Sequence, residues 1–72
     1  MDIDLGSVII QVKGGRARGI AAQIASTQAS TGVRTVGYAP GVSDATVYSA
    51  AEQGIAILRT PEEVLIYLRE FL

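Results

Sequence analysis

The chain has 72 residues, 49% of them hydrophobic, with six basic and seven acidic side chains and a formal net charge of −1. That length allows one domain over residues 1–72, and the near-neutral balance removes any global basic signature, so a nucleic-acid contact would have to be local. The lack of Cys and His excludes disulfides, Cys/His zinc sites, histidine bases and cysteine nucleophiles, leaving oxygen ligands for any metal.

The chain opens on Asp2-Ile3-Asp4-Leu5-Gly6-Ser7-Val8-Ile9-Ile10-Gln11-Val12-Lys13. This stretch predicts two short strands joined by a two-residue turn at Gly6-Ser7, because Gly accepts the positive φ of a II′ turn. Leu5 then faces Val8, Asp4 faces Ile9, Ile3 faces Ile10 and Asp2 faces Gln11. Alternation puts Asp2, Asp4, Ile9, Gln11 and Lys13 on one face and Ile3, Leu5, Val8, Ile10 and Val12 on the other. Two carboxylates, an amide and an ammonium opposite a purely hydrocarbon face suggest more than packing.

Gly14-Gly15-Arg16-Ala17-Arg18-Gly19 is a flexible basic link. A helix is predicted from about Ala17 to Thr31, with Ile20, Ala21, Ile24 and Ala25 at helical spacing and Gln23, Ser26, Thr27 and Ser30 toward other faces. Gly32 stops it as a C′ residue. Residues 33–38 read as a strand with Gly37 as a weak spot or bulge. Pro40-Gly41 marks a turn. Ser43 caps a helix from about Asp44 to Gln53, and Gly54 ends it. Residues 55–58, wholly apolar, read as a buried strand.

Thr60-Pro61-Glu62-Glu63 is the strongest local signal, with Thr60 as N-cap, Pro61 at N1 and Glu63 closing a capping box. The last helix carries Val64, Leu65, Ile66, Leu68, Phe71 and Leu72, more than one apolar stripe can hold. Part of it is expected to meet another subunit or a missing N-terminal layer. A domain of this size buries only about 60% of its unfolded surface, which also favours a homodimer. The expected fold is α/β: a small mixed sheet in the order β-β-α-β-α-β-α, its first pair antiparallel and the rest joined by right-handed crossovers.

The hairpin resembles the PD-(D/E)xK restriction-endonuclease-like nuclease superfamily, which carries an Asp on one strand and a (D/E)xK triplet on the next. Here the triplet is Gln11-Val12-Lys13, the QxK variant seen in Mrr-like enzymes. The run from Val8 to Gly15 is similar to such domains, and so is the order of later elements. The resemblance spans most of the chain, as a truncated core without the superfamily's N-terminal part. Similar sequences occur in C-terminal toxin domains of large secreted bacterial adhesins, which implies an immunity-type protein partner.

The resemblance implies a metal-dependent nuclease acting on DNA or RNA with Mg2+ or Mn2+. Asp2, Asp4 and Gln11 would be the metal ligands, and Lys13 would orient the water or stabilise charge on the phosphate. Asp4 follows an acidic-Ile pair, as in the family, whereas Asp2 lies opposite Gln11, so the choice between them stays open. Arg16, Arg18 and Gln23 would contact the nucleic acid. The bland alternatives are an acidic edge that resists strand pairing, solvated Gln and Lys side chains on a strand, exposed loop arginines and an exposed helix Gln.

Two other readings compete. One is a non-catalytic dimerisation or interaction module that keeps the fold, favoured by the missing N-terminal layer, the neutral Gln in the triplet and the broad apolar last helix. The other is a dinucleotide-binding turn at Gly14, Gly15 and Gly19. Its spacing is G-G-x-x-x-G, and Arg34 and Thr35 stand where an acidic residue is needed, which argues against it. No apolar run approaches a membrane span. The chain is therefore expected to be soluble, either cytoplasmic or part of a secreted toxin.

Overall fold

The computed structural model describes residues 1–71. The elements are β1 (Asp2–Asp4), β2 (Val8–Val12), α1 (Ile20–Thr31), β3 (Arg34–Tyr38), α2 (Asp44–Glu52), β4 (Ile57–Leu58) and α3 (Pro61–Phe71). One mixed sheet runs β1-β2-β3-β4, with β1 antiparallel to β2 and the other pairs parallel. The fold is therefore α/β in the order β-β-α-β-α-β-α.

The hairpin forms because Gly6 takes φ 89° at the turn, a value open to Gly at little cost. Its register is Asp2↔Gln11, Ile3↔Ile10 and Asp4↔Ile9. That register sorts the side chains of β2 between two packed layers. On one side Ile20 and Ile24 of α1 pack with Ala50 of α2 and Ile57 of β4. On the other, Val8, Ile10 and Val36 are covered by Val64, Tyr67 and Leu68 of α3. Gly37 is not a bulge, since it pairs in register with both Gln11 and Ile57. It is a point of close approach: a Cβ there would lie 2.8 Å from Ile24 Cδ1 and 2.9 Å from Ile20 Cδ1. The missing side chain lets α1 settle on β3.

Several boundaries move from their sequence expectations. Helix α1 begins at Ile20, because Ala17 lies at φ 51° and cannot extend it. Gly32 does end it, donating its N–H to Gln28 O at 2.9 Å. Ser43 caps α2, accepting from the Thr46 N–H at 3.2 Å. β4 is reduced to two residues because the Ile55 N–H is already taken by Ala50 O at 2.9 Å. At the start of α3, Thr60 Oγ1 accepts from the Glu63 N–H at 3.1 Å, while Glu63 Oε1 accepts from the Arg59 N–H at 2.9 Å, one residue earlier than a standard box. No described residue of α3 is fully buried. Leu65 and Ile66 are 57% and 58% exposed, so one stripe packs and another faces out. Leu72, counted in that apolar set, lies outside the described residues.

Candidate metal and nucleic-acid site

The polar face of the hairpin is built by strand alternation. The Val12 N–H donates to Met1 O at 2.8 Å and the Leu5 N–H to Val8 O at 2.9 Å. These are hydrogen-bonded pairs, so the intervening Asp2–Gln11 and Asp4–Ile9 pairs are the non-hydrogen-bonded kind, with Cα atoms about 4.5 Å apart and side chains in close reach. Asp2 is thus the carboxylate beside Gln11. Asp4 lies two residues along the strand, and its Oδ1 accepts from the Gly6 N–H at 2.8 Å. That bond ties its carboxylate to the hairpin turn.

Gln11 is held from above by α1. Its Nε2 donates to Thr27 Oγ1 at 2.8 Å, while its Oε1 is buried without a hydrogen-bond partner. An orphaned amide oxygen costs about 1–3 kcal/mol, so this atom is an acceptor without a hydrogen-bond donor or cation to match it. Thr27 was not among the expected site residues. Its signal was position: Ile20, Ile24 and Thr27 recur at i, i+4 and i+7, which sets the hydroxyl on the buried stripe. Gln23, the expected helix contributor, lies one turn earlier and is exposed.

Lys13 continues the strand alternation, since its N–H pairs with Tyr38 O at 3.1 Å. Its side chain therefore shares the face of Gln11 and Asp2, and its Nζ donates to Arg18 O at 3.3 Å. Arg16 and Arg18 line a cleft of about 510 Å³ together with Gly19, Gly41, Ser43 and Thr46. The cleft lies where the loops after β2 and β3 meet, outside the carboxyl ends of parallel strands, where open α/β sheets bind ligands. Its basic character comes from Arg16 and Arg18, with Lys13 beside them; Arg34 lies at the other end of β3, over the Phe71 ring. Asp44, in the first turn of α2, is engaged by Arg59 at 2.6 Å.

The side chains of the hairpin face offer oxygen ligands, the class a hard divalent cation takes. Asp2 supplies charge, the unpartnered Gln11 Oε1 a neutral oxygen, and Asp4 a second carboxylate further along the edge. Among the described residues no three Asp, Glu, His or Cys side chains gather, so water would have to complete the shell. Comparison with known proteins gives no match to any family model, curated protein or solved structure. Among the described residues no helix is long and apolar enough to cross a membrane.

Proposed function

We propose that the chain is a metal-dependent nuclease domain of restriction-endonuclease-like type, hydrolysing phosphodiester bonds in DNA or RNA. The observation that carries the reading is the buried, unpartnered Gln11 Oε1 directly across the strand pair from Asp2. A bound Mg2+ or Mn2+ supplies Lewis-acid polarisation of the phosphate and a bound water of lowered pKa. The chain's own part is to grip that ion with Asp2 and Gln11, with Asp4 as a further carboxylate. Lys13 offsets negative charge building on the phosphoryl oxygens. Arg16 and Arg18 hold neighbouring backbone phosphates in the basic cleft. In the reaction one P–O bond forms to the water oxygen and one breaks, leaving a phosphate monoester and a hydroxyl.

The test is incubation with single- and double-stranded DNA and RNA in Mg2+ or Mn2+, beside Lys13→Ala and Asp2→Ala. Loss of cleavage by at least a hundredfold in both variants, with unchanged circular dichroism, supports the reading. Equal cleavage by all three proteins removes it.

A second reading, an interaction module without catalysis, is favoured by one observation: the large apolar side chains Ile3, Leu5, Leu65 and Ile66 are all more than 40% exposed.

A further inference from the structure

The outward stripe of α3 has a self-complementary pattern. Val64, Tyr67 and Leu68 pack on the sheet. At 100° per residue, Glu62, Leu65, Ile66 and Arg69 fall within about a 100° arc on the opposite side. All four are exposed, Leu65 and Ile66 being more than half so. Acid stands at one end of this stripe, base at the other, and two large apolar side chains between them. Among the described residues neither Glu62 nor Arg69 forms an ion pair, the one ion pair there being Arg59 with Asp44.

We infer that this stripe is a homodimer interface in which α3 packs antiparallel against α3 of a second copy. A two-fold axis passes between Leu65 and Ile66. Charge order decides the orientation. Antiparallel packing about that point sets position i level with 131 − i. Glu62 then meets the partner's Arg69, Arg69 meets the partner's Glu62, and Leu65 meets the partner's Ile66. A parallel arrangement would set Glu62 against Glu62 and Arg69 against Arg69, with like charges level along the pair. A surface complementary to itself under a two-fold rotation is what a closed dimer needs. The apolar side chains at the centre match the usual anatomy of an interface, and the charges form its rim.

Beside the stripe runs an apolar groove of about 450 Å³, lined by Ile3, Val12, Tyr38, Pro61 and Leu65 among others. It extends the contact beyond one short helix, toward the roughly 800 Å² per partner of a stable interface. The inference names the partner for the interaction reading and holds whether or not the chain cleaves nucleic acid.

The test is sedimentation equilibrium at low salt over a thousandfold range of protein concentration. The native protein is expected to reach twice the monomer mass. E62R and R69E should each weaken self-association about tenfold, because every dimer contains two such pairs. Mixing the two single variants should restore tight pairing, since the two reversed side chains then meet each other with opposite sign while the second pair stays native. L65D should abolish association. A native chain that stays monomeric at millimolar concentration overturns the inference. A dimer unaffected by either reversal also overturns it, while leaving the interaction reading standing on some other surface. The substituted side chains are exposed, and circular dichroism of each variant verifies that it remains folded.

Discussion

Gln11→Glu exchanges the triplet's amide for a carboxylate and tests whether this face holds a cation. In the native chain the amide donates to Thr27 at 2.8 Å and leaves Oε1 buried without a partner. In the variant the Thr27 hydroxyl can rotate to donate to one carboxylate oxygen, so that contact survives. The second oxygen stays orphaned and now shares a negative charge. Asp2 lies directly opposite, and two carboxylates about 5 Å apart at an effective dielectric of about 20 repel by about 3 kcal/mol. Solvent at the open edge reduces this, and the orphaned oxygen adds to it, so in EDTA at pH 7 the variant should lose about 2–4 kcal/mol. A domain of this size moves about 4–8 °C per kcal/mol, which predicts a melting temperature lower by roughly 10–30 °C.

A divalent cation at ten times its dissociation constant should return about 1.4 kcal/mol, and it should stabilise the native chain by less. The pH sign is also fixed. Burial and the Asp2 charge raise the introduced carboxyl's folded pKa above its unfolded value of about 4.3. The penalty is therefore full above the folded pKa and gone below about pH 4. Thermal melts followed by circular dichroism, in EDTA and then across Mg2+, Mn2+ and pH, read all three effects. A variant that melts with the native protein in EDTA and ignores both cations would refute the reasoning.

Thr27→Val keeps shape but removes the acceptor of the Gln11 amide, and should cost about 1–2 kcal/mol in urea unfolding. Adding Gln11→Met should recover much of that loss, because both buried polar partners then leave together. Gly37→Ala places a methyl 2.8–2.9 Å from the ends of Ile24 and Ile20, both buried, so both side-chain ends must shift to admit it. Overpacking of that kind costs about 1–3 kcal/mol; a urea midpoint equal to or above the native one would show that α1 can lift off the sheet freely.

The hairpin was legible because two local rules agree there. Gly6-Ser7 sets the turn, and alternation from that turn assigns every side chain a face, so the Asp2↔Gln11 register follows from the sequence. Ser43, Gly32 and Thr60 were readable as caps for the same reason: each acts through the few residues beside it. What could not be read depends on contacts between distant segments. Ala17 is a good helix former by composition, yet it sits at φ 51°, because the link must bend between β2 and the cleft. Ile55 and Ala56 look like strand, but the Ile55 N–H is claimed by the end of α2. Thr27 reads as facing away from the apolar stripe because its side chain is polar, but it packs on the sheet side with Ile20 and Ile24, where it meets Gln11. Gly37 read as a defect in a strand, when its role is to leave room for two isoleucines on another element.

The two sides of the sheet also separate the proposed chemistry from the proposed assembly. Gln11 points to α1, where Thr27 holds it, while Val8, Ile10 and Val12 of the same strand point to α3. The stripe of Glu62, Leu65, Ile66 and Arg69 lies farther out still, on the side of α3 turned away from the sheet. A dimer formed through that stripe carries its two polar faces on opposite outer surfaces, each complete within one chain and each open at the β1 edge. Under that arrangement cleavage per chain does not depend on association, and reversing Glu62 or Arg69 changes mass without changing specific rate. A specific rate that climbs with protein concentration would require a different contact, one that brings a second copy to the β1 edge beside Asp2, where a partner's side chain would join the proposed ligands.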